Sequence, residues 1–454
     1  MNLDMSWEEL ARATGGRLAR GKPEARAVSL STDTRTLKDG EVFLALKGER
    51  FDAHDLLDEA LARRALGWIV DERKLPAAGP AQIVAVSDTL KALQSLAGHH
   101  RRRFKIPVAG ITGSNGKTTT KEMLSAICRR AGPTCSSPGN WNNHIGVPLS
   151  VLELTREHRY GVFELADSKP GDIAEVARIA QPTVAVITNI GPDHLEFYGT
   201  LERNFQTKAE ILDGLPAEGR LVVNLDDTRL AGLETRPGLR TVTFGTASRA
   251  CVRWSGENEL SVDGRRMPIH LRSFGGLIRQ DAAAAAAAAW AMGLSPEAIR
   301  QGLEDYHPAS WRMEPMRHDS GCSVIFDAYN ANPASMRAAI EAFCEEFAGQ
   351  PKILVLGDMK ELGALSQRFH QELGEWLASL PLQGVYLAGP EIRETWTALE
   401  KAKTSFPARY ALIPAEWMDD LKGQLRGGNA VIFKASRAMR FEQIAQELKI
   451  QAIP

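Results

Sequence analysis

The residues best placed to do chemistry form one stretch, Gly110-Ile-Thr-Gly-Ser-Asn-Gly-Lys-Thr-Thr-Thr120, between the apolar run 106–109 and the helical pattern Lys121 to Arg130. A strand, a glycine loop and a helix in that order make a phosphate-binding loop. Gly113 and Gly116 let the backbone turn, so that N–H groups of Ser114, Asn115 and Thr119 converge on an anion. Lys117 adds a point charge for the terminal phosphates, and Thr118 offers a hydroxyl to Mg²⁺. A strict GxxxxGK[ST] pattern needs glycine at position 111, where this chain has Ile111, so the generic nucleotide loop is missed by one residue.

Further polar groups fall at the ends of expected strands. The strand Tyr160 to Leu165 carries Glu164, and Thr183 to Ile190 runs into Gly191-Pro-Asp-His-Leu-Glu196. Ligands of open α/β sheets lie beyond the carboxyl ends of the strands, so Glu164 and His194 are expected to face the phosphate loop. There they would hold Mg²⁺ together with Thr118 and phosphate oxygens. The loop Pro138-Gly-Asn-Trp-Asn-Asn-His-Ile-Gly-Val-Pro148, with Asn140, Asn142 and Asn143, suits a sugar or a peptide. Lys208, in Phe205-Gln-Thr-Lys-Ala-Glu-Ile211, is expected to begin the next helix, and as a bare ammonium it would repel Mg²⁺.

The elements that must position these groups divide the chain into three α/β units. Residues 1–104 are expected to form a small α/β domain, with helices at Trp7 to Thr14, His54 to Arg64 and Asp88 to Phe104. Its loops hold Ser31, Asp33 and Arg35 in one cluster and Lys47, Asp52 and His54 in another, both suited to a diphosphate or a uracil. The basic end His99-His-Arg-Arg-Arg103 complements its helix dipole. Residues 105–309 alternate strands and helices around the loop, as in a mostly parallel sheet, and Ala282 to Ala289 is expected to be a buried helix. Residues 310–454 read as a Rossmann-like doubly wound domain. Its strand ends carry Asp327-Ala-Tyr-Asn-Ala-Asn-Pro333, Gly357-Asp-Met-Lys-Glu-Leu-Gly363 and Lys434-Ala-Ser-Arg-Ala-Met-Arg440, three polar ends that suggest one crevice.

At 454 residues, with 55 basic and 56 acidic side chains, the chain carries no field that would favour nucleic acid or a membrane surface. Five scattered cysteines without CxxC spacing indicate neither a disulfide framework nor a zinc site. No apolar stretch has signal-peptide or membrane-span character, so a cytoplasmic protein acting as a monomer on small molecules is expected.

The form TGSNGKTTT resembles the nucleotide loop of the Mur ligase family, ATP-dependent enzymes of bacterial cell-wall precursor synthesis. TDTR, LKGERFDAH, GNWNNHIGVP, NIGPDHLEFYG, DAYNANP, LGDMKELG and SRAMR extend the likeness over all three units. DAYNANP with GDMKELG points to the branch that adds D-alanyl-D-alanine to UDP-N-acetylmuramoyl-tripeptide (UDP-MurNAc-tripeptide). The resemblance implies ATP and Mg²⁺ as cofactors and an acyl-phosphate mechanism with Lys117, Glu164, His194 and Lys208 as catalytic residues. It implies that Arg312, Asp327 and Asn330 reach ATP from the third domain, and that Asn332, Ser436 and Arg437 meet substrate. Lys208 matches a position that several members carbamylate with CO₂, which would make it a metal ligand.

The chain also departs from the family pattern. Leu277, Ile278 and Asp281 stand where an adenosine-holding HNxxN motif is expected, and Ala166-Asp-Ser-Lys169 replaces a GANH-like stretch. Ala53, Ala166 and Ala435 replace glycines, at about 1 kcal/mol each if their backbones need positive φ. These departures leave two other readings, a catalytically silent paralogue and another kind of P-loop enzyme. A folylpolyglutamate synthase would begin close to its phosphate loop, whereas this chain spends about a hundred residues first.

Overall fold

The structure, a computed structural model, describes residues 1–48, 51–192, 198–235, 237–256 and 258–453. Three sheets follow one another along the chain. The first has the spatial order Asn2–Ser6, Arg26–Ser31, Val42–Leu44, Gly67–Asp71, Gln82–Val86 and Arg17–Arg20. Its inner pairs are parallel, and the two outermost strands are antiparallel. The expected helix His54 to Arg64 is a 3₁₀ turn, Ala53–Leu56, followed by a short helix, Leu57–Ala62.

The central sheet holds the phosphate loop. From one edge it runs Thr134–Ser136, Tyr160–Glu164, Val108–Thr112, Val184–Ile187, Arg220–Asn224, Arg240–Gly245 and Val252–Ser255, all parallel. It ends in the antiparallel strands Glu259–Val262 and Arg265–Pro268. Every residue of Val108–Thr112 is buried, as a parallel strand covered on both faces requires. The helix Gly276–Ala291 packs on this sheet beside Lys117–Ala131, and Ala282 to Ala289 are all buried. Alanine is what lets the two backbones approach without loss of helix propensity. The helix expected from Lys121 starts at Lys117, so its first turn belongs to the phosphate loop. Lys208 does not begin a helix but lies in the last turn of Leu201–Ala209, capped at its start by Thr200.

The third sheet has the order Ala408–Ala411, Gly384–Ala388, Lys352–Gly357, Ala430–Lys434, Ser323–Asp327, Glu314–Arg317 and Gln451–Ala452. The first five strands are parallel and the last two pairings are antiparallel. Helices Pro333–Glu346, Ser366–Leu377, Arg393–Ala402, Met418–Gln424 and Glu442–Glu447 complete a doubly wound α/β unit. No strand at Glu314–Arg317 or helix at Arg393–Ala402 was expected, because both segments are mostly polar and short.

The helix Thr89–Arg101 ties the first two sheets together. It packs against Gly146–Val151 and Asp172–Ala180, so a helix expected to serve the first domain lies on the central one. Leu3 and Leu10 share one apolar cluster with Leu93, Leu96, Val147 and Ile173. The basic run after it is a brace rather than a dipole complement alone. Arg101 donates to the carbonyls of Ala180 (2.8 Å), Phe104 (2.7 Å) and Gln181 (3.1 Å), and Arg103 donates to that of Leu3 (2.6 Å).

Candidate active site

The phosphate loop is shaped by glycine at two positions. Gly113 has φ 139° and Gly116 φ 79°. A Cβ at Gly113 would lie 2.0 Å from Thr188 Oγ1, and one at Gly116 would lie 1.9 Å from Asp281 Oδ1, so packing forbids a side chain as firmly as the backbone does. Asn115 N donates to Asn189 Oδ1 at 3.0 Å, and Thr188 Oγ1 donates to Asn115 O at 2.5 Å, which anchors the loop to the next strand. Lys117 Nζ folds back to donate to the carbonyls of Gly113 (2.5 Å) and Ser114 (3.2 Å). The positive end of a 15-residue helix and an ammonium thus converge where a polyphosphate would lie.

Thr118 is the hub of the site. Its hydroxyl donates to Glu164 Oε2 at 2.8 Å and accepts from Arg312 Nη2 at 3.0 Å. Asn142 Nδ2 donates to the other Glu164 oxygen at 2.8 Å. Arg312 reaches in from the start of the third unit, its guanidinium 4.0 Å above the ring of Tyr329. A second bond crosses the same cleft, from Asn332 Nδ2 to Asn115 Oδ1 at 2.8 Å. Thr118 and Glu164 are hard oxygen donors at a phosphate site and fit Mg²⁺. Among the described residues no group of three or more His, Cys, Asp or Glu is placed to hold a metal ion, and phosphate and water would complete the shell, as Mg²⁺ usually has it. His194 lies outside the described residues.

A cavity of about 530 Å³ opens between the central and third units, with the loop residues 114–119 along one wall. Asn140, Asn142 and Asn143 line it from the central unit, and Asp327, Asn330 and Arg437 from the third. Asp327 Oδ2 accepts from Lys434 Nζ at 2.6 Å, and the Arg437 guanidinium lies 4.2 Å above Trp311. Leu277, Ile278, Ala338 and Ala342 add apolar lining. Asp281 is buried behind Gly116. Burial pushes its carboxyl up to about 7, against the opposing effects of the Arg312 charge and the nearby Thr120 hydroxyl.

Lys208 meets a carboxylate that the sequence reading passed over. Its Nζ donates to Asp167 Oδ1 at 2.5 Å and Oδ2 at 2.7 Å, with both side chains almost fully buried. Tyr198 donates its hydroxyl to Asp167 Oδ2 at 2.5 Å. Burial works to raise the Asp167 carboxyl, but the charges of Lys208 and Lys117 and these hydrogen bonds hold it below the usual range. The ammonium expected to trouble the site as an unpaired charge is therefore paired. The departure at Ala166-Asp-Ser-Lys169 was the available signal, but nothing local linked it to a residue 41 positions away.

Several expected site residues already have partners within the chain. His54 is buried; its Nδ1 lies 2.6 Å from Asp52 Oδ1, and its Nε2 accepts from Asp71 N at 2.9 Å, so neither nitrogen is offered to a ligand. Burial opposes the charge of Asp52, but hydrogen bonds from Lys74 and His54 hold its carboxyl well below the usual range. Ser31 closes a turn with the backbone of Asp33, while Arg35 stays 84% exposed in a pair with Asp33. Lys47 is exposed at a bridge to Asp52. Asn332 caps the helix Pro333–Glu346, and buried Ser436 accepts from Lys360 N at 2.9 Å and donates to Ala331 O at 3.3 Å. None of Ala53, Ala166 and Ala435 is among the described residues with positive φ, so the expected cost of replacing glycine does not arise.

Residues 111–289 match the Mur ligase middle domain family and residues 311–437 the Mur ligase glutamate ligase domain family. The chain is 34% identical to the UDP-N-acetylmuramoyl-tripeptide–D-alanyl-D-alanine ligase of Bacillus subtilis, with 97% of each chain covered. It is 33% identical to the Escherichia coli enzyme of the same name, with 93% of each covered. Among solved structures it resembles MurF from Acinetobacter baumannii, with TM-score 0.90, 32% identity and coverage of 98% of this chain and 99% of that one. It also resembles MurF ligase from Thermotoga maritima in complex with ADP, with TM-score 0.81, 33% identity and coverage of 93% and 97%.

Proposed function

This chain belongs to the Mur ligase family, and from that premise we propose that it is an ATP-dependent ligase joining D-alanyl-D-alanine to UDP-MurNAc-tripeptide in peptidoglycan precursor synthesis. The observation that carries the reading is the Thr118 hub, where Glu164 of the central unit and Arg312 of the third meet one hydroxyl on the phosphate loop. A site completed from two domains suits a reaction that must gather ATP and two further substrates and close over them.

Joining a carboxylate to an amine is uphill in water near neutral pH, since both groups are ionised, so the carboxylate must be activated. The tripeptide carboxylate attacks the γ-phosphate, ADP leaves, and an acyl phosphate forms. The D-alanyl-D-alanine amine then adds to the acyl carbon, and the tetrahedral intermediate expels phosphate. The first step brings two anions together. Lys117 and the amides at the start of the helix Lys117–Ala131 stabilise the charge that develops on the transferring phosphoryl group. Mg²⁺, when bound, neutralises phosphate charge, and Thr118, Glu164 and His194 are the residues that would hold it.

Arg312, Asp327 and Asn330 bind the nucleotide from the third domain. The adenine lies against Leu277 and Ile278, in the absence of the HNxxN motif. Ser31, Asp33, Arg35 and Lys47 of the first domain serve the UDP end of the substrate, with His54 bracing Asp52. Asn140, Asn142, Asn143 and Arg437 serve the peptide end. Among the described residues no helix is long and apolar enough to cross a membrane. A cytoplasmic monomer, with 1–104, 105–309 and 310–454 as its domains, completes the proposal. Phosphate release from ATP that requires both UDP-MurNAc-tripeptide and D-alanyl-D-alanine is the test. Release with neither, or none with both, would sink the assignment and favour another P-loop enzyme or a silent paralogue.

A further inference from the structure

The helix that begins at the phosphate loop buries a lysine that the mechanism above does not use. Lys121 lies in the second turn of the helix Lys117–Ala131, and its side chain is 0% exposed. Lysine is almost never buried this far unless its charge is paired. Its Nζ donates to the carbonyls of Ser137 (2.9 Å) and Gly139 (3.2 Å) and meets the Glu122 carboxylate at 2.5 Å. Three acceptors thus meet the three donors of one ammonium. Two of the three are backbone groups of the segment that leads into Asn140, Asn142 and Asn143. Taking the ligase reading as given, we infer that Lys121 is a positioning residue, which holds the asparagine loop in register with the phosphate loop so that the carboxylate to be activated meets the γ-phosphate.

One face of that helix reaches the asparagine loop at both ends. Thr118 and Lys121 are three residues apart and therefore neighbours on the helix surface. Lys121 takes the carbonyls of Ser137 and Gly139, while Thr118 bonds Glu164, whose other oxygen accepts from Asn142 Nδ2. The strand Tyr160–Glu164 closes the frame. Ser137 N donates to Val162 O at 3.1 Å, Glu164 N donates to Ser137 Oγ at 3.2 Å, and Ala166 N donates to Asn142 O at 2.8 Å. The same helix presents its amino terminus and Lys117 to the polyphosphate. The place of the loop relative to the phosphate is thereby set through one rigid element.

An apolar side chain would fill the same space but leave the two carbonyls unpaired and closed to water. The loop would then turn towards other donors, and Asn140, Asn142 and Asn143, which line the cavity, would move with it. Lys121 is not among the described residues that line the cavity, so its effect on substrate passes through those asparagines. The first step of the reaction brings two anions together, and a displacement of about 1 Å at that point is enough to slow such a step ~10²-fold. An ammonium suits the task, since its charge strengthens the hydrogen bonds to the carbonyls without adding an anion near the phosphate.

The test measures each substrate separately in the full-length protein. Lys121→Met keeps the apolar stem and loses the donors. It is expected to raise the KM for UDP-MurNAc-tripeptide roughly tenfold and to lower kcat roughly 10- to 100-fold, with the KM for ATP within about twofold of wild type. Amide hydrogen exchange in residues 137–143 should quicken while that of the phosphate loop stays as in wild type. Lys121→Arg, which can still donate to both carbonyls, is expected to recover part of the loss. Should Lys121→Met fail to fold, Lys121→Gln retains an amide donor and is expected to show the same split to a smaller degree. Equal rises in the two KM values, or a lower melting temperature with both KM values and kcat unchanged, would overturn the inference and leave Lys121 a stabiliser of the fold. Failure of the ligase reading would appear in the wild type, as phosphate release indifferent to the two substrates, and the exchange measurement would still show whether Lys121 holds the loop.

Discussion

Two junctions hold the three units together, and they are built differently. Between the first and central sheets runs a continuous apolar cluster, with Leu3, Leu10, Leu93 and Leu96 packed against Val147 and Ile173 and sealed by Arg101 and Arg103. Between the central and third units, polar contacts stand at the phosphate loop, Arg312 to Thr118 and Asn332 to Asn115, and the apolar part is small, with Phe274 packed edge-on against Phe347. An apolar core resists opening because every separated side chain must be rehydrated. A few hydrogen bonds can be exchanged for water or phosphate oxygens at little net cost. The first junction is therefore expected to hold more firmly than the polar contacts at the phosphate loop.

The sharpest way to break this comparison is at the loop itself. Lys117→Ala is expected to lower kcat by roughly 10³-fold or more while leaving the melting temperature nearly unchanged, since the lysine acts on transferring phosphate and its ammonium bonds the loop carbonyls of Gly113 and Ser114 rather than packing in the apolar core. Substantial activity with a normal melting curve would remove the loop from the chemistry. At the other junction the effects should be reversed. Leu96→Ala deletes a fully buried side chain from the shared cluster and is expected to cost about 2–5 kcal/mol of stability in denaturant unfolding. Its kcat on ATP at permissive temperature should stay close to wild type, and a collapse of kcat without loss of stability would argue that the first junction is also a working part.

Acid offers a milder probe of the same core. The His100 ring is buried with Nε2 against Leu154 O at 2.9 Å and Nδ1 unpartnered, and burial pushes its pKa down to about 4. An unfolded histidine titrates near ~6.5, so the unfolded chain takes up the proton first. The stability His100 contributes is fully present above about pH 6.5 and is lost as pH falls towards 4, by at most ~3 kcal/mol. His100→Gln should flatten that limb of a stability-against-pH curve, and an unchanged limb would assign acid sensitivity elsewhere.

The smallest effect is expected at the polar contacts between the central and third units. Asn332→Ser keeps a side chain able to cap the helix Pro333–Glu346 but too short to reach Asn115. The KM for ATP should rise severalfold with stability unchanged. Loss of stability without a change in KM would make Asn332 a cap and nothing more.

The phosphate loop, the three α/β units and the buried alanine helix were legible in the residues because each depends on a short stretch. Glycine is needed where φ is positive, an apolar run makes a covered strand, and alanine permits close helix packing. Motif positions such as Glu164 and Arg312 were likewise marked, by strand ends and by resemblance. What the residues alone did not decide was which side chains meet. The turn of His54 into a brace between Asp52 and Asp71, the transfer of the helix Thr89–Arg101 onto the central unit, and the pairing of Asp167 with Lys208 depend on groups brought together by packing. A lysine near a phosphate site reads as a problem when its neighbours are unknown. In a folded, water-excluding wall it has a partner, the carboxylate of Asp167, which only the packing of two distant segments brings to it.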